Sequence, residues 1–238
     1  MENRLCEYDE GGKTFEAYLA YEPSELKKKP AILIAHAWAG RSQFEQDIAE
    51  KVASWGYIGF AADIYGKGVL GSSTDENSKL MQEFMEDRSL IIKRYSAAIE
   101  ALKSQEMIAS EQIAAIGFCF GGLCVLDLAR SRNPDIKGVV SLHGLFVPPG
   151  TKTEGDIDAK VLTLHGHEDP MVKPDAVLTL EQELTDRKAD WQMHTFGQTM
   201  HGFTHPDAND LDLGVKFHKT NSQRALKLTH DFLKETLS

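Results

Sequence analysis

Residues Ile113-Ala114-Ala115-Ile116-Gly117-Phe118-Cys119-Phe120-Gly121-Gly122 decide how this chain is read. A short apolar run of the kind that forms a buried strand breaks into Gly-x-Cys-x-Gly-Gly, and Leu123-Cys124-Val125-Leu126-Asp127-Leu128-Ala129 then reads as a helix. A strand that turns abruptly into a helix lifts the side chain at the turn above the sheet, which is the layout of a nucleophile elbow. Gly117 and Gly121 flank that turn, where a Cβ would collide with neighbouring backbone. Cys119 stands at the nucleophile position, and a thiolate there benefits from the N-terminus of the following helix. The competing reading is a buried structural cysteine in a glycine-rich turn.

On both sides of this stretch strand-like and helix-like segments alternate, which predicts an α/β fold: a mostly parallel central sheet flanked by helices on both faces. Residues 15–21 alternate like a half-exposed strand and are placed at a sheet edge, whereas 31–35 form a continuous apolar run expected to be buried on both sides. Phe44, Ile48, Val52 and Trp55 share one helical stripe, and 57–62 read as the next strand. Residues 64–78, rich in Gly, Ser and Thr, are expected to form a long loop, a candidate lid or binding loop. A long helical pattern follows through Leu80, Phe84, Ile91, Tyr95, Ile99 and Leu102, with a possible break at Asp87-Arg88. Further strands are expected at 138–142, 161–165 and 191–196, with helices at 174–184 and 221–237. Lys27-Lys28-Lys29 reads as a solvated turn. The 238 residues fit one domain, 1–238, with a substantial core.

A formal net charge of −10, from 26 Lys+Arg against 36 Asp+Glu, argues against a nucleic-acid partner or an anionic membrane surface. Small-molecule chemistry by a monomer or small homo-oligomer fits better. No apolar run approaches the length of a membrane span, and the opening Met1-Glu2-Asn3-Arg4-Leu5 leads into charged sequence, so a cytoplasmic location is expected. The 3 cysteines, Cys6, Cys119 and Cys124, have no framework spacing and are expected to be free thiols.

A thiol at an elbow needs a base, and the base needs an orienting carboxylate; in the hydrolase arrangement they follow in the order acid, then histidine. Asp169 lies 169 − 119 = 50 residues after Cys119, in Gly166-His167-Glu168-Asp169-Pro170, and His201 lies 201 − 169 = 32 residues further on. Each follows an expected strand, which puts all three at the carboxyl ends of parallel strands, where open α/β sheets bind ligands. Asp169 could instead be only a turn residue before Pro170, Glu168 is a neighbouring competitor, and His201 could be an idle loop histidine. The joint occurrence in the right order favours the triad. The oxyanion donors are expected to be the backbone N–H groups of Phe120 and Trp38, the second in the loop His36-Ala37-Trp38-Ala39-Gly40. His165, His167, Asp169, His201 and His205 invite a metal reading, but none has a recognised ligand spacing, so no metal and no cofactor are expected.

With these residues in place the chain resembles the dienelactone hydrolase family of α/β-hydrolases. The likeness runs from the first buried strand through Asp63-Ile64-Tyr65-Gly66, the Cys119 elbow and Gly166-His167-Glu168-Asp169-Pro170 to His201-Gly202-Phe203-Thr204. It implies the α/β-hydrolase fold and Cys-Asp-His hydrolysis of small esters or lactones. Cys119 would be the nucleophile, His201 the general base and acid, and Asp169 its orienting carboxylate. The chain departs from the dienelactone-cleaving members at two positions: Ala37 stands where they carry a Glu, and His205 where they carry a substrate-binding Arg. Candidates for the substrate pocket are Phe84, Phe118, His143, Phe146, Phe203 and His205. The alternatives are a non-catalytic hydrolase-fold binding protein and a metal-dependent hydrolase.

Overall fold

The computed structural model describes residues 1–24, 28–150 and 154–238. Eight strands form the main sheet: β1 (Glu2–Glu10), β2 (Lys13–Tyr21), β3 (Lys29–Ala35), β4 (Ile58–Ala62), β5 (Ile108–Phe118), β6 (Ile136–Leu142), β7 (Lys160–Gly166) and β8 (Trp191–Phe196). Their order is β1-β2-β4-β3-β5-β6-β7-β8. The β1/β2 and β2/β4 pairs are antiparallel, and every pair from β4/β3 to β7/β8 is parallel. The parallel strands therefore carry their carboxyl ends to one rim, as a ligand site at that rim requires.

The helices are α1 (Gln43–Ser54), α2 (Thr74–Glu86), α3 (Ser89–Lys103), α4 (Phe120–Arg130), α5 (Pro174–Asp186) and α6 (Lys219–Thr236). The two faces of the sheet bury separate clusters, and strand periodicity assigns residues to them. In β3, Ala31, Leu33 and Ala35 belong to the cluster that also holds Tyr95, Leu123 and Leu180 of α3, α4 and α5, whereas Ile32 and Ile34 belong to the one that holds Ile48, Val52 and Phe232 of α1 and α6. Because both faces are covered, the central strands are apolar without a break, and this is why 31–35 shows no alternation.

Residues 15–21 are not at the edge. β2 lies second in the sheet, with Phe15 and Leu19 in one cluster and Tyr18 and Ala20 in the other, and the edge is β1. The sequence of β1, ENRLCEYDE, is mostly exposed and buries Tyr8, so it carries little apolar pattern and escapes a search for periodicity. The expected loop is also shorter: α2 begins at Thr74, where the Ser73 hydroxyl caps it by accepting from Glu76 N at 3.2 Å, with Asp75 and Glu76 in its first turn. The remaining segment is anchored through Lys67 N to Thr14 O and Gly71 N to Ala39 O, both at 2.9 Å. The break at Asp87-Arg88 separates α2 from α3 as expected. Of the lysine run, Lys27 lies outside the described residues, Lys28 is exposed, and Lys29 is buried in β3 with Nζ donating to Glu22 O at 2.7 Å. A short ribbon, β9 (Asn209–Asp210) with β10 (Val215–Lys216), is not foreseen from the sequence.

Candidate active site

Cys119 occupies the one-residue gap between β5 and α4, at φ 55 and ψ −114. Only over-determined positions keep a non-glycine residue there, at a cost of about 1–3 kcal/mol. The surroundings do so. A Cβ on Gly117 would strike the carbonyl of Gly121, and one on Gly121 would strike the carbonyl of Ala35, so the strand and helix approach as closely as two glycines permit. Cys119 N donates to Leu142 O on β6 at 3.1 Å, and the side chain is half-buried in the wall of a cavity.

Asp169 follows β7 and is buried. Its Oδ1 accepts from Met171 N at 2.9 Å and its Oδ2 accepts from His201 Nδ1 at 2.7 Å. The turn role and the histidine partnership thus coexist in one carboxylate, one per oxygen, while Glu168 is exposed. His201 is pinned by its backbone: its N–H donates to Gly214 O at 3.1 Å, and its carbonyl accepts from Lys216 N at 3.0 Å, which docks the β9/β10 ribbon beside the imidazole. Its other ring nitrogen, Nε2, is buried with no hydrogen-bond partner of normal geometry among the described residues. Burial alone would lower the pKa of this ring. Coulombic interaction with the Cys119 sulfur outweighs it, together with hydrogen bonding to Asp169 and Cys119 and the Asp169 charge, and the imidazole is raised to about 10.

His143 follows β6 at φ 39, with Nε2 within 2.8 Å of Thr204 Oγ1 and its ring 5.2 Å from that of His201. Burial first, then the His201 charge, hold its pKa well below the imidazole value, so it stays neutral beside a cation.

Cys119, His143 and His201 line a cavity of about 420 Å³. Of the sequence candidates, Phe118, His143 and His205 also line it, with the His205 ring stacked on Phe44 at 4.4 Å. Three candidates do not. Phe84 is buried against Tyr65 and Phe120, Phe146 against His165, and Phe203 against Phe196 and the His143 ring, so all three belong to the core. The apolar wall comes instead from Trp38, Phe44, Met81, Leu145, Met171 and Leu213. Phe44 was visible as the first residue of the α1 stripe; nothing in the sequence marked Leu213, which reaches the cavity through the ribbon. Among the described residues the lining contains no Lys or Arg, and the exposed carboxylates of Asp207 and Asp210 stand at it. Ala37 lines it too, and its N–H donates to Glu45 Oε1 at 3.1 Å. Among the described residues no three His, Cys, Asp or Glu side chains are grouped so as to hold a metal ion, and no helix is long and apolar enough to cross a membrane.

The dienelactone hydrolase family model matches residues 15–237. A Caenorhabditis elegans protein is 35% identical over 147 residues, which cover 61% of this chain and 93% of that protein. A carboxymethylenebutenolidase homolog of Xenopus tropicalis is 23% identical over 201 residues, 83% of this chain and 78% of the relative. A solved structure of a dienelactone hydrolase-like promiscuous phosphotriesterase from metagenomic libraries matches with a TM-score of 0.94 at 27% identity, covering 100% of this chain and 99% of that one.

Proposed function

This chain belongs to the dienelactone hydrolase family, and from that premise we propose that it hydrolyses small, uncharged esters or lactones through a Cys119-His201-Asp169 triad. The observation that carries the proposal is the buried pairing of His201 Nδ1 with Asp169 at 2.7 Å, which leaves Nε2 for Cys119 in the cavity that both residues line. The Cys119 sulfur is the group that acts most strongly to raise this ring, by charge and by hydrogen bonding, so Nε2 is placed to exchange a proton with it.

His201 Nε2 takes or shares the Cys119 proton, which gives an attacking thiolate beside an imidazolium. The thiolate attacks the acyl carbon, and the backbone N–H groups of Phe120 and Trp38 receive the developing oxyanion. Collapse breaks the bond to the alkoxide, which takes its proton from His201 Nε2, and a thioester remains. Sulfur has then lost its charge, and with it the largest influence raising His201, so the imidazole becomes a free base able to deprotonate water. Hydroxide attack expels the Cys119 thiolate, releases the acid and restores the imidazolium.

Substrate charge follows from the lining. His205 supplies no guanidinium, and Asp207 and Asp210 repel anions, so a carboxylate-bearing lactone meets no Lys or Arg among the described lining residues. We take residues 1–238 as one catalytic unit acting on a small molecule in the cytoplasm, as a monomer or small homo-oligomer. The test is trapping: a slow aryl ester incubated with the protein should leave an acyl group on the Cys119 peptide by mass spectrometry. Undiminished turnover by purified Cys119→Ala protein would overturn the mechanism, and would turn attention to the metal-dependent alternative. Absence of turnover over a broad ester panel would favour the binding-protein alternative.

A further inference from the structure

The segment Asp63-Ile64-Tyr65-Gly66 takes no part in the chemistry above, yet its side chains and amides reach the loop that carries Trp38. The direction of the Trp38 N–H is set by two peptide planes. In the Ala37–Trp38 peptide, Ala37 O accepts from Gly40 N at 3.1 Å and lies 2.7 Å from His36 Nδ1. His36 Nε2 accepts from Ile64 N at 3.3 Å, which places the ring proton on Nδ1 and makes that nitrogen a donor to Ala37 O. A trans peptide points N–H opposite to C=O, so fixing Ala37 O fixes the Trp38 N–H. In the next peptide, Trp38 O accepts from the Tyr65 hydroxyl at 3.0 Å. Burial keeps that phenol protonated, and hence a donor, far above neutral pH. Tyr65 is itself held by the Asp63 carboxylate, whose Oδ1 accepts from Tyr65 N at 2.8 Å and Gly66 N at 3.0 Å.

The Tyr65 ring meets the other donor residue as well. It stacks on Phe120 at 6.2 Å and an interplanar angle of 23°, and lies 4.6 Å from the His36 ring. One buried side chain therefore bonds the carbonyl of one oxyanion donor residue and packs on the ring of the other. We infer that Tyr65, with His36, is a positioning residue that sets the separation and aim of the Trp38 and Phe120 amides. This inference rests on the cysteine-hydrolase reading.

Two reactions of Cys119 separate positioning from general support. Turnover of a neutral aryl ester passes through an oxyanion, whereas alkylation by iodoacetamide needs the thiolate and forms none. In Tyr65→Phe, which keeps the ring, kcat should fall about tenfold, a fraction of the ~10²–10³ lost when an oxyanion donor is removed outright. KM and the alkylation rate should stay within about twofold. His36→Ala should behave like Tyr65→Phe, and His36→Asn, which keeps an N–H near the Nδ1 position, should recover most of kcat. Unchanged kcat in Tyr65→Phe and His36→Ala overturns the inference, and so does an alkylation rate that falls in step with kcat. If iodoacetamide leaves wild-type turnover intact, the cysteine mechanism fails first, and the inference with it.

Discussion

Two buried polar regions of this protein are built on opposite terms. Under α3, α4 and α5, Asp127 gives one carboxylate oxygen to Arg88 at 2.8 Å and the other to Arg130 at 3.1 Å. Arg130 then grips Glu183 with Nε and Nη2 at 2.9 and 2.8 Å, and Arg187 donates to the Arg130 carbonyl. Each carboxylate oxygen of this network has a cationic donor. At the rim of β5 to β8, by contrast, His201 Nε2 and His143 Nδ1 are buried with no hydrogen-bond partner of normal geometry among the described residues, and Cys119 and His143 hold positive φ. The first region spends its hydrogen bonds on itself, and the second, under the proposed function, keeps them open for a substrate. The contrast teaches that incompletely satisfied, strained groups gathered at one sheet rim mark the site better than burial or charge alone.

The sharpest way to break the comparison is at Cys119. Cys119→Ala should lower kcat/KM by about 10⁴-fold or more, while Cys124→Ala, in the helix interior, keeps most of it. Cys119→Gly should be equally inactive yet more stable by about 1 kcal/mol in urea unfolding, because glycine accepts the elbow conformation without strain. A Gly variant no more stable than Ala would mean that the elbow is not strained.

Next come the partners of the thiol. Asp169→Asn and His201→Ala should stay folded and slow kcat by about 10²-fold or more, and Glu168→Gln should be near wild type. If the Glu168 change were the crippling one, the acid would be misassigned.

In the satisfied region the effect should move from rate to stability. Arg130→Met strips buried Asp127 and half-buried Glu183 of a shared cation and should cost about 3–5 kcal/mol in denaturant unfolding, with kcat changed less than twofold. A loss of kcat at full stability would erase the distinction between the two regions.

The pH dependence sharpens the same contrast. A folded-state pKa of about 10 for His201 lies above its unfolded value of about 6.5, so the associated stability is fully present below about pH 6.5. It is lost as pH rises through about 10. In Cys119→Ala the largest raising influence is gone, so NMR titration should find His201 well below its wild-type pKa, with a weaker alkaline loss of Tm. An unchanged His201 pKa would separate the thiol from the imidazole.

The smallest effect concerns the cavity mouth. Neutral esters should exceed matched carboxylated ones in kcat/KM, and Asp207→Asn with Asp210→Asn should narrow the gap by about threefold, more at low salt. A tenfold preference for the carboxylated substrate would reject the charge argument.

By itself the sequence determined the alternation of strands and helices, the elbow at Cys119 and the order of Asp169 and His201, because periodicity and turn chemistry are local and leave their mark within a few residues. It could not separate Phe118, which lines the cavity, from Phe84, Phe146 and Phe203, which fill the core. All four are apolar residues near the site, and which of them faces empty space depends on elements far away in the chain. The edge strand β1 was illegible for a related reason, since an edge facing solvent needs no apolar pattern. The aim of the Trp38 amide was likewise decided only in three dimensions, where Ile64 and Tyr65 come within hydrogen-bonding distance of the 36–38 loop. A hydrogen bond between residues 27 positions apart, such as Tyr65 to Trp38, is specified by the packing of two neighbouring parallel strands, and no local pattern records it.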